Sequence, residues 1–137
     1  MDSSPKKARI LIADDRPGSR ELLGLVLERA GYQVTQAEDG EQAVERIRES
    51  NPDLVLLDLQ MPKLDGYGVL AAVRAEARFA HLPVLALTAS AMRGDRERIL
   101  AAGFTDYLAK PASPEVLRET VARLLEEAGK ATNQPAT

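Results

Sequence analysis

The chain has 137 residues, 45% of them hydrophobic and 28% charged, with a formal net charge of −3, which suits one compact domain. The mild acidity, and the lack of any basic run beyond Lys6-Lys7, argue against direct binding of nucleic acid. With no cysteine and only one histidine, His81, the chain offers no disulfide, no thiolate metal site and no histidine-rich zinc site.

Residues 1–6 are polar and expected to be disordered. Short apolar runs then alternate with amphipathic stretches, five of each, the pattern of βαβ units around a parallel sheet. The first strand is Ala8 to Ala13, ending on the acid pair Asp14-Asp15. A helix should start near Pro17, place Leu22, Leu23, Val26, Leu27 and Ala30 on one face, and stop at Gly31. Strand two runs from Tyr32 to Ala37, and Asp39 can cap a helix carrying Ala43, Val44 and Ile47 that ends before Asn51-Pro52. Strand three, Asp53 to Asp58, is an apolar run closed by a carboxylate, and the loop Leu59 to Gly66 follows at once.

A third helix is expected from about Tyr67 to Ala77, and His81 reads as a loop residue before strand four, Leu82 to Thr88. The fourth helical segment, about Met92 to Ala102, begins with the polar run Arg93 to Arg98, which includes a glycine, so its packing should be loose. Strand five, Thr105 to Lys110, ends on a lysine before Pro111. Ser113 as cap, Pro114 in the first turn, and Leu117, Val121, Leu124, Leu125 and Ala128 on one face define a fifth helix. The domain is thus expected over residues 7–128, with a flexible polar tail over 129–137. No run approaches the ~18 apolar residues of a membrane span, and the N-terminus lacks the apolar core of a signal peptide, so no membrane insertion and a cytoplasmic home are expected.

Ligands of open α/β sheets bind at the carboxyl ends of the strands. There the chain places Asp14, Asp15 and Asp58, the hydroxyl of Thr88 and the ammonium of Lys110. Carboxylates without nearby histidine or cysteine form a hard oxygen site suited to Mg²⁺, with Mn²⁺ as a substitute. With a phosphoryl donor present, one carboxylate can attack phosphorus and form an aspartyl phosphate. Lys110 would pair with a phosphoryl oxygen and Thr88 would donate a hydrogen bond to another, so charge stabilisation would carry the reaction. Asp65-Gly66 reads as turn chemistry rather than as a ligand.

Asp14-Asp15, Asp58 with Met61-Pro62 and Asp65-Gly66, Thr88-Ala89 and Lys110-Pro111 resemble, in order and spacing, the receiver domains of two-component response regulators, over roughly Lys7 to Glu127. The resemblance implies a flavodoxin-like (βα)5 doubly wound α/β sheet of strand order 2-1-3-4-5. It implies that Asp58 accepts phosphate from a histidine kinase or histidine phosphotransfer protein. Asp15 and Asp58 would bind Mg²⁺ with the backbone carbonyl of Gln60, Asp14 would support the metal through water, and Lys110 and Thr88 would read the phosphoryl group. Tyr107 matches the family's switch aromatic, and Lys110-Pro111 is a candidate cis peptide. Gln60 and Ser90, each two residues beyond a key position, would border the attacking water and tune the lifetime of the phosphoryl group.

The implied role is a signalling phosphoacceptor rather than an enzyme with turnover. It would change partner binding through helix 4, strand 5 and helix 5, with phosphorylation-dependent homodimerisation left open and the downstream protein unnamed. Two other readings stand beside it. An aspartyl-nucleophile hydrolase would want a second acid where Gln60 stands, and a phosphorylation-independent scaffold would not need the intact acid set.

Overall fold

The computed structural model describes residues 7–89 and 92–133; residues 1–6, Ser90, Ala91 and 134–137 lie outside the described residues. Five parallel strands, β1 (Arg9–Ala13), β2 (Gln33–Ala37), β3 (Leu54–Asp58), β4 (Val84–Thr88) and β5 (Asp106–Ala109), form one sheet in the order β2-β1-β3-β4-β5. Between and after them run α1 (Pro17–Arg29), α2 (Gly40–Ser50), α3 (Gly66–Arg74), α4 (Arg93–Ala102) and α5 (Pro114–Asn133), with a short 3₁₀ turn at Ala77–Phe79. This is the parallel sheet that the alternation of apolar and amphipathic segments predicts, in the flavodoxin-like doubly wound order that the family resemblance implies.

Every residue of β3 and β4 is buried, because helices cover both faces of a parallel sheet. Side chains alternate between two cores, as the period of a strand requires. Ile10, Ile12, Leu54, Leu56, Leu85 and Leu87 pack with Leu23 and Leu27 of α1 and Leu117, Val121 and Leu124 of α5. Leu11, Val55, Leu57, Val84 and Ala86 pack on the other face with α2, α3, Ile99 and Phe104.

Helix ends follow the local chemistry. The Asp39 carboxylate accepts from the Gln42 N–H and that of Asp65 from the Gly68 N–H, so both acids cap helices. Asn51 and Gly103 end α2 and α4 in the left-handed region, at φ 50° and 111°. Ser113 caps α5 by accepting from the Val116 N–H. The Arg74 guanidinium ties α3 to three carbonyls, those of Phe79 (2.8 Å), Leu82 (2.6 Å) and Gly103 (3.2 Å).

Three local readings need correction. Leu22 is 60% exposed and Ala30 is exposed, whereas Gly24 is buried, so the inner face of α1 is narrower than the apolar pattern suggests and rests on Leu23 and Leu27. Helix α3 ends at Arg74 and gives way to the 3₁₀ turn, rather than running on to Ala77. Helix α5 passes through Gly129 to Asn133, past the expected end, since one glycine weakens a helix by only about 1 kcal/mol.

Gly40 fixes the loop that follows Asp58, for a Cβ there would overlap the carbonyl oxygen of Leu64. Gly40→Ala should therefore force the β3–α3 loop away from α2 and cost about 1–3 kcal/mol, as overpacking does. A fall in the urea midpoint at constant slope checks this; an unchanged midpoint would show that the two segments separate freely.

Candidate functional site

The strand order reverses between β1 and β3, the point at which doubly wound sheets hold ligands. The registers Ala13↔Leu57, Asp58↔Leu87 and Thr88↔Ala109 bring the ends of β1, β3, β4 and β5 to one edge. Asp14, Asp15, Asp58, Thr88 and Lys110 therefore meet there, as expected from the sequence, and all but the fully buried Asp14 line one cleft of about 770 Å³. One ligand oxygen from each of Asp14, Asp15 and Asp58 lies within 4.8 Å of the others.

Lys110 stands between two of the acids. Its Nζ donates to Asp58 Oδ2 at 2.8 Å and to Asp14 Oδ2 at 3.1 Å. β5 is two strands from β3, and the Lys110 N–H anchors its own backbone on the Thr88 carbonyl at 2.8 Å, so the side chain reaches back across β4. The Lys110-Pro111 peptide is cis, in agreement with the resemblance.

The two acids are unequally served. Burial pushes the Asp14 carboxyl up, but the Ser19 hydroxyl at 2.6 Å, the Arg16 N–H at 3.0 Å and Lys110 outweigh it and hold the group below its ordinary value. For Asp58 burial prevails over the bonds from Lys110 and the Gln60 N–H, with the Asp14 charge adding to it, so its carboxyl sits above its ordinary value. Burial pulls the Lys110 ammonium down, yet the hydrogen bonds to Asp58 and Asp14 carry it above.

The other expected residues fall nearby. Gln60 is exposed on the cleft wall, and Thr88 is only 7% exposed. Tyr107 lies on β5, half-buried against the α2/α3 core, with the Arg96 guanidinium 5.8 Å from its ring centre. Ser90 lies outside the described residues. Residues not singled out from the sequence also take part: Ser19 holds Asp14, and Tyr67, Asp95 and Arg98 line the cleft. For Ser19 the signal was its place in the first turn of the helix after the acid pair; for the other three no local signal exists.

A hard, all-oxygen donor set with one shared ammonium stands at the switch point of a five-stranded doubly wound sheet, the architecture of a CheY-like α/β domain. The sequence profile of the response regulator receiver domain matches residues 10–122, and the chain belongs to that family. Among its relatives is the protein named "Probable transcriptional regulator ycf27" of Porphyridium aerugineum, 40% identical over 128 residues, which cover 93% of this chain and 52% of that protein. Another is the signal transduction histidine-protein kinase BarA of Escherichia coli K12, 38% identical over 89% of this chain and 13% of that protein. The chain thus spans about half or less of the length of these relatives.

Solved structures agree with the fold. The chemotaxis response regulator CheY4 of Vibrio cholerae superposes with a TM-score of 0.83 at 31% identity, covering 87% of this chain and 99% of that one. The receiver domain of sensor histidine kinase PA1611 of Pseudomonas aeruginosa, crystallised with magnesium in its active-site cleft, gives 0.82 at 37% identity, over 88% of this chain and 99% of that one. Among the described residues no helix is long and apolar enough to cross a membrane.

The unequal acids give opposite pH signatures. Asp58, raised in the fold, contributes stability that is complete below its unfolded value and lost as pH rises through the folded one, so at neutral pH its charge is a burden. Asp14, lowered in the fold, contributes stability above its unfolded value and loses it as pH falls. In EDTA at pH 7, Asp58→Asn should therefore unfold at higher urea than the wild type and Asp14→Asn at lower urea. The Asp58→Asn gain should vanish below about pH 4; a gain that persists there would show that charge is not its cause.

Proposed function

We propose that this domain is a phosphorylation-controlled signalling switch whose phosphoacceptor is Asp58. The observation that carries the reading is the Lys110 ammonium shared between Asp58 and Asp14 beside a third carboxylate, Asp15. An oxygen-only set suits Mg²⁺, or Mn²⁺ in its place. Asp15, Asp58 and the Gln60 carbonyl would hold the ion, with Asp14 acting through water. Bound there, the ion would supply positive charge to offset the repulsion between the carboxylates and an incoming phosphoryl group.

The protein's own groups do the rest. An Asp58 carboxylate oxygen attacks phosphorus, and the bond from phosphorus to the donor, a phosphohistidine of a histidine kinase or phosphotransfer protein, breaks. Lys110 exchanges a carboxylate partner for a phosphoryl oxygen. Thr88 turns its hydroxyl toward another phosphoryl oxygen, and Tyr107 follows into the space that Thr88 leaves. Gln60 borders the path of the attacking water, and an amide in that place supplies no general base, so water access sets the lifetime of the phosphoryl group. The same neutral side chain leaves the hydrolase reading without its second acid.

Magnitudes limit the switch. Converting a 1:99 mixture of inactive and active arrangements to 99:1 takes about 5.5 kcal/mol of differential stabilisation. A hydrogen bond to a charged group contributes about 1.5–3 kcal/mol, so the Lys110 and Thr88 contacts suffice only if both are absent from the inactive arrangement. Output would pass through α4, β5 and α5 to a downstream protein, with no direct contact to nucleic acid.

Acetyl phosphate with Mg²⁺ should add one phosphoryl group to the intact mass of the wild type, and nothing to Asp58→Asn or to the wild type in EDTA. A gain that survives Asp58→Asn would move the acceptor elsewhere. Thr88→Ala should still gain the group but lose most of the NMR perturbation at Tyr107; a full perturbation in that variant would break the proposed coupling.

A further inference from the structure

The two acids after β1 are held in different ways. The Asp14 carboxylate accepts from the Ser19 hydroxyl, the Arg16 N–H and Lys110. Asp15 is exposed, and among the described residues its carboxylate accepts no hydrogen bond. The direction of Asp15 is therefore set by its backbone, and first by the peptide that joins it to Asp14. The carbonyl of that peptide, which belongs to Asp14, accepts from Arg20 Nη1 at 2.8 Å.

Arg20 is itself held in place. Its N–H donates to the Arg16 carbonyl at 2.9 Å, which seats it in the first turn of α1. Its Nε donates to Gln36 Oε1 at 3.2 Å, across to the edge strand β2. The Gln36 backbone is fixed in turn, since it pairs in register with Ile12 and its carbonyl accepts from Arg46 of α2. Buried Gly24 of α1 leaves the Gln36 side chain its place, for a Cβ there would come within 3.0 Å of Gln36 Nε2. Neither Arg20 nor Gln36 lines the cleft, so both can act on the site only through the acids.

We propose that Arg20 and Gln36 are positioning residues that aim Asp15 at the cation site. Gln36 orients the guanidinium, and the guanidinium fixes the peptide plane between Asp14 and Asp15. The inference rests on the reading that the acid pocket takes Mg²⁺. A planar guanidinium can serve two oxygen acceptors at a fixed angle, which a point-like ammonium does not do. Charge and position act in opposite directions here, so the role can be isolated. Arg20 is a cation near an acid pocket and by charge alone would compete with Mg²⁺. Gln36 is neutral, and its effect on the metal comes through position.

The test is a Mg²⁺ titration of the full chain followed by NMR at neutral pH, for the wild type, Gln36→Leu, Arg20→Met and the double variant. Urea midpoints check that each is folded, and should Gln36→Leu lose its fold, Arg20→Met decides in its place. Gln36→Leu should bind Mg²⁺ about two- to tenfold more weakly, the ratio that one hydrogen bond sets. Arg20→Met should also bind more weakly, although loss of its charge alone would tighten binding. The double variant should be no weaker than Arg20→Met, because the two residues act in series. Before any metal is added, the Asp15 amide, whose nitrogen belongs to the same peptide as the Asp14 carbonyl, should shift in both single variants. Wild-type affinity in a folded Gln36→Leu, tighter binding in Arg20→Met, or an unmoved Asp15 amide would overturn the relay while leaving the Mg²⁺ site in place. A wild type that binds no Mg²⁺ would overturn the metal reading and the relay together.

Discussion

One ammonium serves two carboxylates. Lys110 donates to both Asp14 and Asp58, and Asp14 has further donors in Ser19 and the Arg16 backbone, whereas among the described residues Asp58 has Lys110 and the Gln60 N–H alone. The pocket is therefore short of positive charge, and the shortage falls on Asp58. At about 4 Å a pair of opposite charges near a protein surface attracts by roughly 4 kcal/mol, but desolvation offsets much of that. The arrangement is better understood as a poised state than as a source of stability. Adding cationic charge relieves the shortage.

The rest of the fold serves that placement. Fully buried β3 and β4 hold Asp58 and Thr88 rigidly at the sheet edge, and the β4–β5 register delivers Lys110 from the far side. The β3–α3 loop is pressed against α2 at Gly40, which fixes the backbone just beyond Asp58. Burial is sparser on the α4 side. That helix buries Ile99 alone among its described side chains, which makes it the element that the proposed switch would displace at least cost.

Much of this was legible in the sequence because it is local. Apolar runs that end in Asp14, Asp58, Thr88 and Lys110 announce strand ends, and the alternation with helices implies a parallel sheet that brings such ends to one edge. Asp39, Asn51 and Ser113 mark helix ends through side-chain and backbone chemistry that acts within a few residues. Leu22 was misread because an apolar pattern shows what can be buried, and only the position of α5 and the sheet decides that Leu23 and Leu27 are. The end of α5 was misplaced because a single glycine weakens a helix without ending it. The Arg98–Tyr67 contact was invisible: it joins residues from different helices, and neither has a local pattern that points to the other.

The most direct test of the charge shortage is the Mg²⁺ affinity of Lys110→Met against that of the wild type, by titration calorimetry at neutral pH. If Lys110 acts as the resident cation of the acid pocket, its removal leaves Asp14 and Asp58 more available, and the variant binds Mg²⁺ more tightly. Equal or weaker binding in Lys110→Met would contradict this, and would mean that the ammonium supports the metal site instead of competing with it.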